Sequence, residues 1–357
     1  MRHEFKFDIF FTREFNCIKL SIHVTISTME RLVDSFGRSF PYIRLSITDV
    51  CNFKCGYCLP NGYFKVENKP GFLSLDEISN LTSALTELGV SKIRITGGEP
   101  TVRKDFFDVL KNIKSKHKIN NLVVTTNGYK LNEIAEQLIE TGINGINISI
   151  DSLNREKFKE ITGKDRLPQI LEGIKILQDK GFKKIKVNAV LLKDVNSTIE
   201  EFEKWEEFVR INAIDFRYIE LMQTGDSHDY FKKYHISASV FRNYIENKNW
   251  KSIPRENSAG PSINYVHPDA KGKFGIIAPY SKDFCQTCNR LRITAKGELR
   301  LCLFGNTGTD LRPYLQNENQ KEELVELILK QLNFKKESHY LELGDTGITP
   351  HLASIGG

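Results

Sequence analysis

The amino-acid sequence predicts an α/β protein in which about six strand–helix units follow one another and build a parallel barrel. Short apolar runs typical of buried strands alternate with helical patterns between residues 42 and 219. The alternation ends near residue 223, where Gly, Pro, Asn and Ser clusters predict a change of domain. Because parallel barrels carry their active sites at the carboxyl ends of their strands, we expect the functional residues at that face.

The individual elements follow from periodicity and from capping signals. The first helix begins with Ser74-Leu75-Asp76-Glu77, a capping-box pattern, and ends at Gly89. The pattern Ser197-Thr198-Ile199-Glu200 predicts another capped helix. Strands are predicted at residues 42–47, 92–96, 122–125, 146–150, 185–191 and 216–219, and further helices at residues 105–113, 131–140 and 168–181.

Composition limits the classes of partner. The 357 residues are enough for one large α/β domain and a smaller one. Lysine and arginine total 51 against 45 for aspartate and glutamate, a mild excess that fits an anionic small ligand better than nucleic acid. No uninterrupted apolar span of membrane length occurs. Residues 1–28 are rich in Phe but broken by charges, so we expect a poorly ordered or non-native extension that carries Cys17 with it.

The first group of cysteines is Cys51, Cys55 and Cys58, directly after the first predicted strand. No further Cys or His lies nearby to complete a four-ligand shell, so the group predicts a metal site with one open position. The alternative is a zinc-clipped loop. An odd, clustered total of 7 cysteines argues against a disulfide framework and favours a reducing cytoplasm.

The second group is Cys285, Cys288 and Cys302. Strand-like residues 291–294 and 298–303 predict an antiparallel hairpin that folds the last of these cysteines back beside Arg290. Arg290 and Arg292 then share one strand face beside a second open metal position, which favours an anionic substrate that ligates iron. The alternative is a zinc knuckle that uses His267 as its fourth ligand.

The C-x3-C-x2-C loop resembles the signature of the radical S-adenosylmethionine (SAM) superfamily. The resemblance implies a [4Fe–4S] cluster on three cysteines with SAM on the fourth iron, in a partial, open (β/α)6 TIM-type barrel covered by a C-terminal iron–sulfur domain. Gly97-Gly98-Glu99-Pro100 resembles the SAM-amino-binding motif, although such a sequence also forms turns. The implied SAM contacts are Tyr57, Gly98, Ser149 and Met222, of which the last two are otherwise ordinary strand-end and core residues.

A narrower resemblance, over residues 29–357, is carried by several motifs together: residues 44–49, 92–96 and 125–128, Asn289-Arg290-Leu291-Arg292 in the second cysteine group, and the terminal Gly356-Gly357. These are similar to the GTP 3′,8-cyclase family of molybdenum-cofactor biosynthesis. The resemblance implies two [4Fe–4S] clusters and catalytic roles for Arg290, Arg292, Gly356 and Gly357, with the tail inside the barrel. A frayed terminus is the alternative reading of the tail. The implied GTP pocket is Arg44, Lys92, Arg94, Thr125, Lys186, Arg217, Arg290 and Arg292.

The implied activity is that of a lyase that converts GTP to (8S)-3′,8-cyclo-7,8-dihydroguanosine 5′-triphosphate. Residues 29–222 would form the radical SAM barrel and residues 223–357 the domain of the second cluster and the substrate. The expected partners are GTP, an electron donor and the downstream cyclic pyranopterin monophosphate synthase. The expected location is the cytoplasm, and neither nucleic acid nor a membrane is expected as a partner. The sequence is compatible with a homodimer. Rival hypotheses are a peptide-modifying radical SAM maturase and a non-catalytic iron–sulfur or zinc protein, which would need four-ligand sites.

Overall fold

The computed structural model describes residues 32–64, 71–116, 118–255 and 260–356, with the backbone of residues 6–8 and 21–23. The chain divides into two units, Met1–Glu30 and Arg31–Gly357. In the first unit, strand β1 (Lys6–Asp8) pairs antiparallel with strand β2 (Ser21–His23). The rest of the predicted N-terminal extension, including Cys17, lies outside the described residues.

The predicted alternation of strands and helices is present in the second unit. In chain order its elements are β3 (Tyr42–Ser46), α1 (Leu75–Glu87), β4 (Lys92–Thr96), α2 (Phe106–Lys114), β5 (Asn121–Thr126), α3 (Leu131–Glu140), β6 (Gly145–Ser149), α4 (Arg155–Thr162), α5 (Leu167–Asp179), β7 (Ile185–Leu191), α6 (Ile199–Ile211) and β8 (Asp215–Glu220).

The C-terminal part adds strands to both sides of this set. Its elements are α7 (His228–Tyr234), α8 (Ser239–Asn247), β9 (Lys251–Ile253), β10 (Ile263–Val266), β11 (Lys273–Ile277), β12 (Arg290–Ile293), β13 (Glu298–Arg300), β14 (Thr309–Asp310) and α9 (Lys321–Leu332). Strand β12 pairs parallel with β3, and β11 pairs parallel with β8. The resulting mixed sheet has the order β14-β13-β12-β3-β4-β5-β6-β7-β8-β11-β10-β9.

Residues alternate between two environments along the parallel strands. In β4, Ile93 and Ile95 are fully buried, whereas Lys92 and Arg94 are half-buried. Strands β7 and β8 show the same alternation along their whole length. The fully buried set packs with the apolar faces of the helices into one large hydrophobic core. The other set points to the opposite side of the sheet, since neighbouring side chains on a strand face opposite ways.

The capping signals have different outcomes. The predicted capping box of α1 is confirmed, because Ser74 Oγ accepts a hydrogen bond from Glu77 N at 3.1 Å and the Glu77 carboxylate accepts one from Ser74 N at 2.7 Å. The predicted cap of α6 is wrong. Its N-cap is Thr198, without a side-chain cap hydrogen bond, and the Ser197 hydroxyl instead accepts a hydrogen bond from Asp194 N at 3.1 Å.

Helix α4 has no counterpart among the predicted helices. Asn154 caps it by accepting a hydrogen bond from Lys157 N at 3.1 Å, and Gly163 ends it with a φ of +72°. Its 8 residues are mostly charged, which leaves too short an apolar pattern to identify it. Among the described residues, no helix combines the length and the apolar composition that crossing a membrane requires.

Replacing Ser74 with Ala should lower the free energy of unfolding by about 1 kcal/mol, because the change removes the side-chain acceptor at the start of α1. Thr198→Ala is the matched control, since Thr198 holds the same N-cap position in α6 without a side-chain cap hydrogen bond and should cost clearly less. Urea unfolding followed by circular dichroism measures both. Equal losses in the two variants would contradict the cap assignment.

Candidate active site

A cavity of about 500 Å³ is lined by residues from each of the strands β3 to β8 and from the loops around them. The interiors of parallel barrels are usually filled by Val, Ile and Leu. Here the inward positions hold polar side chains such as Arg94, Asn147 and Asn188. The strands therefore enclose a space suited to a polar ligand.

The first cysteine group borders this cavity. Cys51, Cys55 and Cys58 lie in the loop after β3, and all three line the cavity. Burial, together with the Glu99 carboxylate, raises the pKa of Cys51 to about 11, and burial, together with the Cys51 thiol and the Asp151 carboxylate, raises that of Cys58 to about 12. Thiols in these surroundings stay protonated unless a metal ion displaces the protons.

The residues predicted to contact SAM all line the cavity at carboxyl ends of strands: Tyr57, Gly98, Ser149 and Met222. A residue without a motif holds one of them in place. The Tyr57 hydroxyl donates a hydrogen bond to Asp151 Oδ2 at 2.9 Å, and Val190 N donates one to Asp151 Oδ1 at 2.8 Å. Burial raises the pKa of Asp151 to about 6.

The Gly97-Gly98 pair is required by the packing of two loops. A Cβ on Gly97 would lie 2.4 Å from the carbonyl oxygen of Thr48, and a Cβ on Gly98 would lie 2.5 Å from that of Val50. The sequence predicts a close approach to a ligand, but the nearest neighbour is the backbone that leads directly into Cys51. The glycines therefore fix the cysteine loop, and Gly98 still lines the cavity.

The structure brings together most residues of the predicted GTP pocket. All of its members except Arg292 line the cavity: Arg44, Lys92, Arg94, Thr125, Lys186, Arg217 and Arg290. Lys92 and Lys186 lie at the amino-terminal ends of β4 and β7. The expectation that functional residues gather at the carboxyl ends does not hold for this group, because inward positions occur along the whole length of a strand. The cavity thus extends from the cysteine loop toward the amino ends of the strands.

The lowered pKa of Tyr42 reflects the positive potential of the cavity. Burial alone would raise its pKa, but four surrounding cations lower it to about 8. These cations are Arg94, Arg44, Lys92 and Arg290. The aromatic ring also lies 4.6 Å from the Lys92 ammonium. A neutral side chain is thus driven toward its anionic form by the charges around it.

Buried guanidinium groups here retain unused hydrogen-bond donors. Several arginines of the described residues have a buried Nε atom without a hydrogen-bond partner, among them Arg94, Arg217, Arg290 and Arg292. Buried donors normally have partners, and charged donors bind carboxylate or phosphate most strongly. The arrangement therefore fits an anionic ligand.

The predicted hairpin of the second cysteine group is confirmed. Strands β12 and β13 pair antiparallel, so the chain returns and brings Cys302 toward Arg290. The cysteines of this group do not line the cavity, whereas Arg290 does. Burial alone would raise the pKa of Cys288, but Lys335, Arg290 and Arg292 lower it. The second group is therefore set among cations, in contrast to the first.

Two buried basic residues contact the segments around the second cysteine group, and no sequence motif indicated either of them. Arg38 donates hydrogen bonds to the carbonyl oxygens of Cys285 at 3.1 Å and Glu337 at 2.6 Å. Lys335, which is 4% exposed, donates through Nζ to the carbonyl oxygen of Leu301, the residue before the third cysteine. Both side chains tie the cysteine group to the C-terminal segment, and neither lies in a motif that sequence reasoning could have used.

The zinc-knuckle alternative lacks its fourth ligand. His267 Nδ1 lies 3.2 Å from Arg210 Nη1 and accepts a hydrogen bond from Asp269 N at 3.2 Å, and no contact links it to the second cysteine group within the described residues. In that part of the chain, no three His, Cys, Asp or Glu side chains are arranged to hold a metal ion. Each cysteine group nevertheless supplies three free thiols, the number of protein ligands that an iron–sulfur cluster with one open iron has.

The C-terminal tail is docked against β3 and β4. The carbonyl oxygen of Gly356 accepts hydrogen bonds from Arg44 Nη2 at 2.7 Å and from Thr96 Oγ1 at 3.1 Å. A Cβ on Gly356 would lie 2.3 Å from Thr96 Cγ2, and its φ is +72°, so the position requires glycine. The frayed-terminus alternative is wrong as far as Gly356, and Gly357 lies outside the described residues.

Comparisons with known proteins agree with this geometry. The profile of the Radical SAM superfamily matches residues 45–209, and that of Molybdenum Cofactor Synthesis C matches residues 214–341. Among solved structures, Streptococcus suis SuiB bound to S-adenosylmethionine aligns with a TM-score of 0.59 at 16% identity, over 77% of this chain and 64% of that chain. At that identity the similarity shows a shared fold alone. The cysteine loop and these matches define a radical SAM protein.

Curated relatives narrow the assignment. The GTP 3′,8-cyclase of Stenotrophomonas maltophilia strain R551-3 is 48% identical over 329 residues, which are 92% of this chain and 100% of that protein. The GTP 3′,8-cyclase of Vibrio parahaemolyticus is 46% identical over 332 residues, 93% of this chain and 99% of that protein. The chain belongs to the GTP 3′,8-cyclase family.

Tyr42→Phe should remove an early tyrosine ionisation near pH 8, the value set by the surrounding cations. An ordinary tyrosine ionises near pH 10. The absorbance of tyrosinate, followed during a pH titration of the metal-free protein, measures this step. Tyr244→Phe is the control, because burial raises the pKa of Tyr244 and its loss should leave the early step intact. An unchanged early step in Tyr42→Phe would contradict the positive potential inferred here.

Proposed function

We infer that this protein is a radical SAM GTP 3′,8-cyclase, which converts GTP to (8S)-3′,8-cyclo-7,8-dihydroguanosine 5′-triphosphate in the first step of molybdenum-cofactor biosynthesis. Family membership over nearly the whole chain supports the activity. The structural observation that carries it is one cation-lined cavity that starts at the first cysteine group and reaches the hairpin of the second through Arg290.

The residues present fit two [4Fe–4S] clusters and SAM. Each cysteine group would hold one cluster through three thiolates and leave one iron open, to SAM at the first cluster and to the substrate at the second. When bound, the reduced cluster and SAM supply one-electron chemistry, the removal of a hydrogen atom from ribose C3′ that precedes bonding of C3′ to guanine C8. The ligands are Cys51, Cys55 and Cys58 for the first cluster and Cys285, Cys288 and Cys302 for the second.

The carboxyl ends of the strands bind SAM. Tyr57, Gly98, Ser149 and Met222 line that end of the cavity and would contact the cofactor there. The hydrogen bond to Asp151 fixes the orientation of Tyr57, and a fixed ring loses less conformational entropy when SAM binds. Leu352 and Ala353 of the tail also line the cavity, where they exclude water from the reacting atoms.

The cations of the sheet interior bind the triphosphate of GTP. Arginine suits this task because its planar group can donate two parallel hydrogen bonds to phosphate. The unused Nε donors of Arg94 and Arg217 are available for it. The hydroxyl of Thr125 already orients Arg94, whose Nη1 donates to it at 3.1 Å. The whole proposed GTP pocket, which contacts the triphosphate and the guanosine, is Arg44, Lys92, Arg94, Thr125, Lys186, Arg217, Arg290 and Arg292.

Arg290, Arg292 and the tail act at the reacting end of the nucleotide. Both arginines lie on β12 beside the second cysteine group, where they would hold the guanosine next to the second cluster. The carbonyl oxygen of Gly356 accepts a hydrogen bond from Arg44, so the tail directly contacts a residue of the proposed GTP pocket. Gly356 and Gly357 thereby place the tail where the radical step takes place.

The proposed function also includes an arrangement of two domains and a location in the cell. The parallel strands of residues 29–222 form a partial, open barrel. Residues 223–357 form the domain of the second cluster, which covers the open side of the barrel. The pairing of β12 with β3 and of β11 with β8 supports this arrangement. The enzyme works in the cytoplasm, as a monomer or a homodimer, with an electron donor. Its product passes to cyclic pyranopterin monophosphate synthase.

An anaerobic turnover assay tests the proposed function. Reconstituted protein incubated with SAM, GTP and dithionite should form 5′-deoxyadenosine only when GTP is present, together with a cyclised guanosine nucleotide. A colourless, zinc-containing protein would favour the non-catalytic alternative, and turnover of a peptide in place of GTP would favour the maturase.

Cysteine substitutions should separate the duties of the two groups. Cys55→Ala should abolish 5′-deoxyadenosine formation and remove about half of roughly eight irons per chain, because the first cluster becomes under-ligated. Cys288→Ala should mainly weaken GTP binding. Cys17→Ala, which belongs to neither group, is the control. Full cyclisation by Cys288→Ala would show that the second group is not the substrate cluster.

Deletion of residues 356 and 357 should uncouple the reaction. Both clusters and SAM cleavage should persist, whereas the cyclised nucleotide should largely disappear, because the tail no longer contacts Arg44 and Thr96. Gly71→Ala is a glycine control, since a Cβ there meets nothing within 4 Å. Product analysis by mass spectrometry decides, and normal cyclisation by the deleted enzyme would remove the tail from the mechanism.

A further inference from the structure

Two lysines outside the predicted set also line the cavity, at the amino ends of the strands. Lys273 is the first residue of β11 and is paired in register with Asp215 of β8. Lys184 lies directly before β7 and lines the same cavity as Lys186. Both side chains are exposed, whereas the arginines that line the cavity are half-buried. They mark the mouth through which the cavity opens at this end.

These lysines lack the partners that surface lysines often have. Within the described residues, neither side chain makes a hydrogen bond or an ion pair. Their surroundings add further positive charge, since Lys92, Lys186 and Arg217 line the same cavity. The carboxylate of Asp215 is already paired with Lys186 Nζ at 2.8 Å. The mouth therefore keeps a local excess of cations.

We propose that Lys184 and Lys273 form a subsite for the terminal phosphate of the nucleotide, and that this subsite makes the enzyme select a nucleoside triphosphate over a di- or monophosphate. The inference rests on the proposed function. The inner cations hold the phosphates nearest the ribose, so the most distant phosphate reaches the mouth. Lysine suits this place because its ammonium is a compact charge on a flexible stem, which follows a solvated phosphate.

Nucleotide affinities of the wild-type and variant holoenzymes test the subsite. Equilibrium dialysis under anaerobic conditions with radiolabelled GTP, GDP and GMP gives the dissociation constants. The double variant Lys184→Met, Lys273→Met should bind GTP about tenfold more weakly, the loss expected for one or two charge-assisted phosphate contacts. Its affinity for GMP should change by less than about twofold, because GMP does not reach the mouth.

The chain supplies matched controls. Lys183 and Lys271 are exposed neighbours of the two lysines that do not line the cavity. The double variant Lys183→Met, Lys271→Met changes the net charge by the same amount and should keep wild-type affinity for all three nucleotides. Steady-state kinetics should agree, with a raised KM for GTP and a nearly unchanged kcat in the Lys184, Lys273 variant.

Two results would overturn the subsite. One is an equal loss of affinity for GTP, GDP and GMP in the Lys184, Lys273 variant, which would show a general effect of charge. The other is the same loss in the control variant. Wild-type protein that binds no GTP would instead overturn the proposed function itself, so the two failures are distinguishable.

Discussion

The close packing of cations between β3, β4 and β12 is the constraint on which the rest of the structure depends. In register, Arg44 lies between Arg94 on one side and Arg292 on the other. Burial and then the charge of Arg292 lower the pKa of Arg44, so these like charges oppose the folded state. The apolar residues that alternate with them supply the compensating burial under the helices. A bound polyanion would remove the repulsion and stabilise the same fold by linkage.

The two cysteine groups lie in opposite electrostatic surroundings, and of the two only the first lines the cavity. Burial raises the pKa of Cys55 well above its ordinary value, and Asp151 raises it further. Cys288 instead has a lowered pKa, because Lys335, Arg290 and Arg292 outweigh its burial. Cations near the second group would attract an anionic substrate to its open iron, whereas the first group offers a less cationic place to the positively charged SAM. Two groups of three thiols thus lie in different electrostatic environments.

Sequence periodicity predicted the parallel strands and most of the helices, because their apolar faces repeat over several turns. The bounds of β4, α3 and β7 agree with the prediction residue for residue. Sequence periodicity could not predict the long-range strand pairing, because no local pattern indicates that β12 pairs with β3 and β11 with β8. The same limit explains the site. Motif residues were found, whereas Asp151, Arg38 and Lys335 act through contacts with distant segments that no local pattern records.

The proposed placement of the nucleotide between the two cysteine groups is tested most directly by isotope transfer. Wild-type holoenzyme is incubated anaerobically with SAM, dithionite and GTP deuterated at ribose C3′, and the 5′-deoxyadenosine is analysed by mass spectrometry. If the ribose faces the SAM end of the cavity while the triphosphate lies among the cations, the 5′-deoxyadenosine carries deuterium from C3′. Deuterium-free 5′-deoxyadenosine from an enzyme that consumes GTP would contradict this placement.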